Sequence, residues 1–143
     1  MPVRLPSARA AISAARDPKD KNPARAARGR ANHAAGLRAE TWAALWLGLH
    51  LYAIVGRRVK TKAGEIDLIA RRGNTLVFVE VKARAGLDEA AEALGAYQQA
   101  RLARAAALYV AARPAFHEFN MRFDVILITP RRLPRHIVDA WRP

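Results

Sequence analysis

A chain of 143 residues with a 52% apolar composition is long enough for one domain with a buried core. It contains no cysteine, which excludes disulfides, thiolate metal sites and thiol nucleophiles. Its 25 basic residues outnumber its 12 acidic residues, and the resulting net charge of +13 predicts attraction to a polyanion.

The plainer alternative is a basic surface that only aids solubility or touches anionic lipid, but for a small chain nucleic acid is favoured over a membrane. No apolar run reaches the roughly 18 residues that a membrane span needs. The first residues also lack the apolar stretch of a signal peptide. Together with the absence of cysteine, this predicts a cytoplasmic protein with no membrane partner.

Residues 1–35 differ in composition from the rest of the chain. They hold four of the eight prolines, they are rich in alanine and arginine, and they have almost no large apolar side chains. Such a segment cannot bury enough surface to offset the entropy lost on ordering. We predict a flexible basic arm over residues 1–35 and one α/β domain over residues 36–143; a neutral extension is the plainer alternative for the arm.

The domain shows seven elements, separated by glycine and proline signals. In chain order they are a helix over residues 37–48, strands over 51–58, 65–71 and 75–82, a long Ala-rich helix over 90–112, a strand over 122–128 and a short extended segment over 136–141. The order α-β-β-β-α-β-β predicts an α/β sandwich with a mixed β-sheet of about five strands flanked by helices.

The sharpest local signal is the dipeptide at residues 73–74, Gly-Asn, which lies between two strand patterns and is typical of a two-residue β-turn. Such a turn pairs Arg72 with Thr75. Continuing that register places Asp67 directly opposite Glu80, with their backbones about 5 Å apart.

The same register places Glu65 opposite Lys82. Residues two apart on a strand share a face, so this charged face holds Glu65, Asp67, Glu80 and Lys82 and continues into Ile69 and Phe78. The opposite face is entirely apolar and is predicted to be core: Ile66, Leu68, Ala70, Val77, Val79 and Val81.

Two opposed carboxylates repel each other when both are ionised, so a raised pKa, the adjacent Lys82 or a bound cation must compensate. Oxygen ligands suit a hard ion such as Mg²⁺ or Mn²⁺, which lowers the pKa of its water and neutralises charge on a phosphoryl group. The plainer alternative is a salt-bridged hairpin in which Glu65 pairs with Lys82, an interaction worth little. The strongly apolar strands favour the functional interpretation, because charge there is costly without a role.

Two segments then resemble a known family: residues 64–70, Gly-Glu-Ile-Asp-Leu-Ile-Ala, and residues 77–84, Val-Phe-Val-Glu-Val-Lys-Ala-Arg. Together they resemble the YraN-like family, a mostly bacterial group of small proteins in the PD-(D/E)xK nuclease-like superfamily. The resemblance runs from about Gly36 to Trp141 and includes residues 122–125, Arg-Phe-Asp-Val. It implies the restriction-endonuclease-like fold.

Position by position, the resemblance implies roles for five residues. Asp67 and Glu80 would bind the metal, and Glu40 on the first helix would be a further metal ligand. The backbone carbonyl of Val81 would complete the metal shell. Lys82 would be the catalytic lysine, which together with Glu40, Asp67 and Glu80 forms the catalytic set.

The resemblance also implies contacts with nucleic acid. Arg84 matches a basic residue of the family, and a phosphate contact is expected there. On the long helix the family tends to have Lys-Gln where this chain has Gln98 and Gln99, which removes one charge. Arg101 and Arg104 follow Gln98 at three-residue steps and are predicted to line a phosphate track, although solvated helix charges are the commoner alternative.

Other residue types carry weaker signals. Trp42 and Trp46 lie four residues apart on the first helix, where core packing is favoured over base stacking. The four histidines are scattered without zinc-ligand spacing.

The sequence therefore predicts a nuclease that uses Mg²⁺ or Mn²⁺ to hydrolyse phosphodiester bonds of DNA, with branched or structured DNA as a candidate substrate. A non-cleaving nucleic-acid-binding module with a nuclease-like fold is the alternative, and a protein-interaction scaffold is a weaker third. A nuclease of this kind often needs a homodimer to reach both strands, and the sequence leaves that open.

Overall fold

The computed structural model describes residues 23–85 and 94–143. Its elements in chain order are helix α1 (Pro23–Leu49), strands β1 (Ala53–Thr61), β2 (Gly64–Arg72) and β3 (Thr75–Ala83), helix α2 (Ala96–Ala111), a short 3-10 helix (Pro114–Phe116), and strands β4 (Asn120–Ile128) and β5 (Arg135–Trp141). The predicted order α-β-β-β-α-β-β is confirmed.

The five strands form one mixed sheet in the order β1-β2-β3-β4-β5. Only β3 and β4 run parallel, and helix α2 supplies the crossover that a parallel pair requires. Helix α1 packs on one face of the sheet through Ala43 and Leu47, and α2 packs on the other through Leu102 and Ala105. The predicted α/β sandwich is therefore confirmed, and its order and mixed sheet match the restriction-endonuclease-like arrangement. No helix in the described ranges combines the length and apolar character that crossing a bilayer requires.

Both helices differ in extent from the prediction. Helix α1 begins at Pro23 rather than near residue 37, because alanine and arginine are strong helix formers and proline is favoured in a first helical turn. Its buried residues all lie in its second half, so that half packs on the sheet. Helix α2 begins at Ala96 rather than at residue 90. Residues 1–22 of the predicted arm and residues 86–93 lie outside the described part of the chain.

The hairpin between β2 and β3 has the predicted register. Arg72 pairs with Thr75, and the ladder continues to the pair of Leu68 and Val79. One face of this hairpin is core as predicted, and it packs against α1 through Leu68, Ala70, Val77 and Val79, with Val81 partly buried.

One core residue was assigned to the wrong face. Ile66 packs with Ile69 and Phe78 on the α2 side of the sheet, not with Leu68 on the α1 side. The strand alternation therefore shifts between Ile66 and Leu68. The neighbouring strand is irregular at the same level, because Arg58 of β1 has a left-handed backbone with φ of 48°.

Candidate metal centre

The acidic side chains gather where β2 and β3 stop pairing. The last pair of their ladder joins Leu68 and Val79. One step beyond it, Oδ2 of Asp67 accepts a hydrogen bond of 2.9 Å from the backbone N–H of Val81. The Val81 N–H is not used in pairing with β2, so it donates to the Asp67 side chain instead, and this bond holds the Asp67 carboxylate in one orientation.

Three carboxylates converge at this position. Glu40 of α1 and Glu65 and Asp67 of β2 each contribute an oxygen, and these oxygens all lie within 4.8 Å of one another. Mg²⁺ lies about 2.1 Å from its oxygen ligands, so oxygens up to roughly 4.2 Å apart share one ion. Small side-chain movements would therefore bring all three onto a single cation.

Glu65 was placed on the charged face by the hairpin register but was not among the predicted ligands. The signal that identifies it is its spacing of two residues from Asp67 on one strand. That spacing normally brings two side chains to the same face of a sheet.

Glu80 of β3 lies beside this group on the opposite strand, where its charge interacts with that of Asp67, but its oxygens are not among those that converge within 4.8 Å. Its side chain is buried, and its Oε2 has no hydrogen-bond partner within the described residues. Lys82 Nζ lies 3.5 Å from Oε1, and Arg101 Nη2 lies 3.9 Å from Oε2. Glu40 Oε2 is also buried, and no residue in the described part of the chain forms a hydrogen bond with it.

Buried carboxylate oxygens without hydrogen bonds are costly, and a cation removes that cost. The donor set consists only of oxygens, which suits a hard divalent ion. The residues present therefore fit Mg²⁺ or Mn²⁺. The N–H of Val81 is engaged by Asp67, and a metal contact from its carbonyl stays a prediction.

Burial and mutual repulsion shift the titration of these acids. Burial, followed by the negative charge of Asp67, raises the pKa of Glu80 from 4.5 to about 7. Burial also raises the pKa of Glu40 and the pKa of Asp67, in the latter case against the opposing effect of the Val81 N–H. In the metal-free protein at neutral pH the group therefore holds more protons than ordinary carboxylates would.

This shift predicts a pH dependence of stability. Between pH 4.5 and about 7, Glu80 keeps its proton in the folded state and loses it in the unfolded state. The contribution of Glu80 to the free energy of unfolding of the metal-free protein is therefore fully present below this window and is lost across it, by an amount on the order of 2 kcal/mol. Glu80→Gln, which cannot ionise, should abolish that component.

Urea denaturation in EDTA at several pH values measures this difference between the wild type and Glu80→Gln. Contributions of groups away from the acidic centre are the same in both proteins and cancel in the difference. Equal slopes for the two proteins across the window would show that Glu80 titrates normally.

Lys82 points into the same site and is held by two partners. Its Nζ donates a hydrogen bond of 3.1 Å to Oε1 of Gln98 and lies 3.5 Å from Glu80. The direct pairing of Glu65 with Lys82 that the hairpin register predicted is not formed, because the β2–β3 ladder ends before it. Glu65 instead forms an ion pair with Arg58.

Arg58 is a site residue that the sequence did not reveal. Its Nε lies 3.3 Å from Oε1 of Glu65 and 3.8 Å from Oε2 of Glu40. A left-handed backbone is unfavourable for a residue with a side chain and is found where the surroundings impose it. Nothing in the strand pattern distinguished Arg58 from Arg57, since the distinction arises from that irregular backbone.

The residues predicted to contact nucleic acid from α2 lie in different environments. Gln98 binds Lys82, and Nε2 of Gln99 donates 2.7 Å to the Leu94 carbonyl at the start of the helix. Arg104 is exposed. Nucleic-acid contacts from these residues stay predictions.

Arg101 lies inward from the predicted phosphate track. Its Nη1 donates 3.0 Å to the carbonyl of Glu65, and its Nη2 approaches Glu80. Gly64 makes room for it, because a Cβ at that position would collide with the guanidinium, and its φ of 134° also disfavours a side chain. In this arrangement Arg101 positions the acidic group, and a phosphate contact from it stays a prediction.

Asp124 of β4 is an acid outside this group, and it is fully buried with both of its oxygens hydrogen-bonded. Its oxygens accept two bonds of 2.8 Å from Arg122, one of 2.7 Å from His136 Nε2 and one of 2.9 Å from the N–H of Asp139. Arg122 also donates 2.8 Å to the Tyr52 hydroxyl. Burial alone would raise the pKa of Asp124, but the bonds from His136 and Arg122 outweigh it and lower that pKa. This network is a structural support that ties β4 to β5.

Comparison with known proteins gives one consistent result. The group described as "Uncharacterised protein family UPF0102" matches residues 39–128. A "UPF0102 protein" of Parvibaculum lavamentivorans is 58% identical over 117 residues, covering 82% of this chain and 88% of that protein. One from Paramagnetospirillum magneticum is 52% identical over 73% of this chain and 84% of its own length. A third, from Bradyrhizobium diazoefficiens, is 47% identical over 87% of this chain and 91% of its own length.

Proposed function

We propose that this chain, which belongs to the UPF0102 family of YraN-like proteins, is a nuclease that uses Mg²⁺ or Mn²⁺ to hydrolyse phosphodiester bonds of DNA. The names of its relatives state no activity, so the proposal rests on the site itself. The observation that carries it is the convergence of Glu40, Glu65 and Asp67 beside the buried Glu80. Branched or structured DNA is the proposed substrate class.

The chain's own groups divide the chemistry between them. Glu40, Glu65, Asp67 and Glu80 would hold the ion, with Asp67 oriented by the main chain of β3. When bound, such an ion supplies positive charge to the phosphoryl group and lowers the pKa of a water molecule. Lys82, which is oriented by Gln98, would stabilise the negative charge that develops on the phosphate when it is attacked.

A non-cleaving nucleic-acid-binding module is the second candidate, and one observation favours it. Arg58 places its guanidinium against Glu40 and Glu65, so the chain supplies a cation of its own to the acidic group. In that case the acids would organise the fold of a basic binding surface, and no divalent ion would be needed.

The test is cleavage of a panel of linear, nicked, flapped and four-way DNA substrates and of RNA, with Mg²⁺ or Mn²⁺ present. We expect the wild type to cut at least one DNA substrate. Lys82→Ala should bind the metal but cut at least about 100-fold more slowly, the usual loss when a group that stabilises charge in the transition state is removed.

Lys62→Ala is the matched control, because Lys62 is an exposed lysine in the turn between β1 and β2. It should cut like the wild type. Salt-sensitive binding with no cleavage of any substrate would reject the nuclease and support the binding module. Absence of both binding and cleavage would reject the two together.

A further inference from the structure

A groove of about 970 Å³ opens beside the acidic group. It runs between α1, the end of β3 and the connection from β4 to β5. Ala39, which precedes Glu40, and Ala83, which follows Lys82, both line it. Its volume lies at the upper end of the roughly 300–1,000 Å³ that ligand pockets usually have.

The described residues that line this groove carry charge of one sign. Arg38, Arg84, Arg131 and Arg132 line it, and none of the lining residues within the ranges 23–85 and 94–143 is acidic. Within the described part of the chain, none of these arginines forms an ion pair with a carboxylate. Four guanidinium groups without a counter-charge are complementary to a chain of phosphates.

The groove also presents an exposed aromatic ring. Trp42 lines it with 60% of its surface exposed, and Leu133 in the connection from β4 to β5 also lines it and is 79% exposed. The expectation that Trp42 packs in the core is therefore wrong; its neighbour Ala43 faces the sheet instead, while Trp46 packs against the core as expected. An indole beside unpaired guanidinium groups is the combination that binds single-stranded nucleic acid, by base stacking and phosphate contact.

We propose that this groove binds an unpaired stretch of DNA next to the phosphodiester bond at the metal centre. Trp42 stacks on a base, and the four arginines contact the phosphates. A base within a duplex is already stacked on both sides, so the ring distinguishes unpaired from paired strands. The inference rests on the proposed function, because the bound strand is taken to be part of the DNA that is cut. It narrows the substrate to DNA with a single-stranded segment at a branch or flap.

The test measures binding of the full chain in EDTA, where no cleavage occurs. Fluorescence anisotropy compares a labelled single strand with a blunt duplex of the same sequence, and intrinsic tryptophan fluorescence reports stacking. We expect the single strand to quench the tryptophan signal. Trp42→Ala should weaken single-strand binding about 10-fold, the loss of one stacked base, with duplex binding little changed. Trp42→Phe should keep most of the affinity.

Leu49→Ala is the matched control, because Leu49 is a 79% exposed apolar residue on the same helix outside the groove. It should bind like the wild type. The double variant Arg131→Ser with Arg132→Ser should weaken binding of both DNAs and reduce its salt dependence.

Three results would overturn the proposal: single-strand binding unchanged in Trp42→Ala, equal losses for single strand and duplex, or sedimentation showing a wild-type homodimer that Trp42→Ala dissociates. The last would assign the ring to a contact between two copies of the chain. Because the assay contains no metal, a protein that binds as expected but never cuts would reject the nuclease and keep the groove. A protein that cuts DNA but does not bind the single strand through Trp42 would keep the nuclease and reject the groove.

Discussion

Replacement of Asp67 by asparagine is expected to weaken Mn²⁺ binding by more than about 100-fold, and at the same time to stabilise the metal-free protein at neutral pH. The first effect follows because even residues that merely support a metal ligand are worth 10- to 100-fold in affinity, and Asp67 is placed to bind directly. The second follows because Asp67 raises the pKa of Glu80 and of Glu40 by repulsion, so its neutralisation relieves both. Asparagine can still accept the Val81 N–H through its amide oxygen.

Calorimetry with Mn²⁺ and urea denaturation in EDTA measure these two effects. Asp139→Asn is the matched control: it removes the same charge from the opposite end of the sheet, and asparagine tolerates the left-handed backbone of that position, where φ is 53°. It should change neither Mn²⁺ affinity nor the response to EDTA. Unchanged Mn²⁺ affinity together with a loss of stability in EDTA for Asp67→Asn would mean that the acids support the fold rather than a metal.

The largest expected effect on stability comes from substitution of Asp124, the buried acid of β4. Asp124→Asn should lower the free energy of unfolding by about 3 kcal/mol, the low end of the range for breaking a buried ion pair, because Arg122 remains partly in contact with water. The variant keeps the size of the side chain but removes the charge that Arg122 and His136 contact. Urea denaturation at pH 7 measures the change.

The ion pair of Arg142 and Asp139 serves as comparison for Asp124, because its guanidinium is exposed to water. Arg142→Ala should leave the denaturation midpoint unchanged. If the two variants were equally stable, the buried network around Asp124 would contribute no more than a surface pair does.

Local signals explain why much of the fold and part of the site were predictable. The Gly-Asn turn set the register of β2 and β3, and that register holds as far as Leu68 and Val79. It brought Asp67 and Glu80 to neighbouring positions on adjacent strands. Turn type and two-residue alternation depend only on nearby sequence.

The remainder of the site depends on how distant segments meet. Glu40 reaches the acids from α1 and Arg58 reaches them from β1, and neither contact follows from strand alternation. The outward orientation of Trp42 was missed because both it and the adjacent Ala43 are apolar. Which of the two faces the sheet depends on the rotation of α1 about its axis.

The length of α1 illustrates the same limit in another form. Its first half has the composition of an unstructured segment but also consists of strong helix formers. Composition cannot decide between a helix and an unstructured segment in a stretch without an apolar face. Helix formation there depends on extension from the later turns of α1, from Ala39 onward, which pack on the sheet.

The hydrogen bond from Val81 to Asp67 has an evolutionary consequence. The partner that orients the central carboxylate is a main-chain N–H, which every amino acid except proline possesses. Selection on the side chain at position 81 therefore acts only through its packing against α1, and substitutions among aliphatic residues leave the orienting bond intact. The geometry of the site is inherited through the path of the backbone, so it can persist in relatives whose side chains around it have diverged.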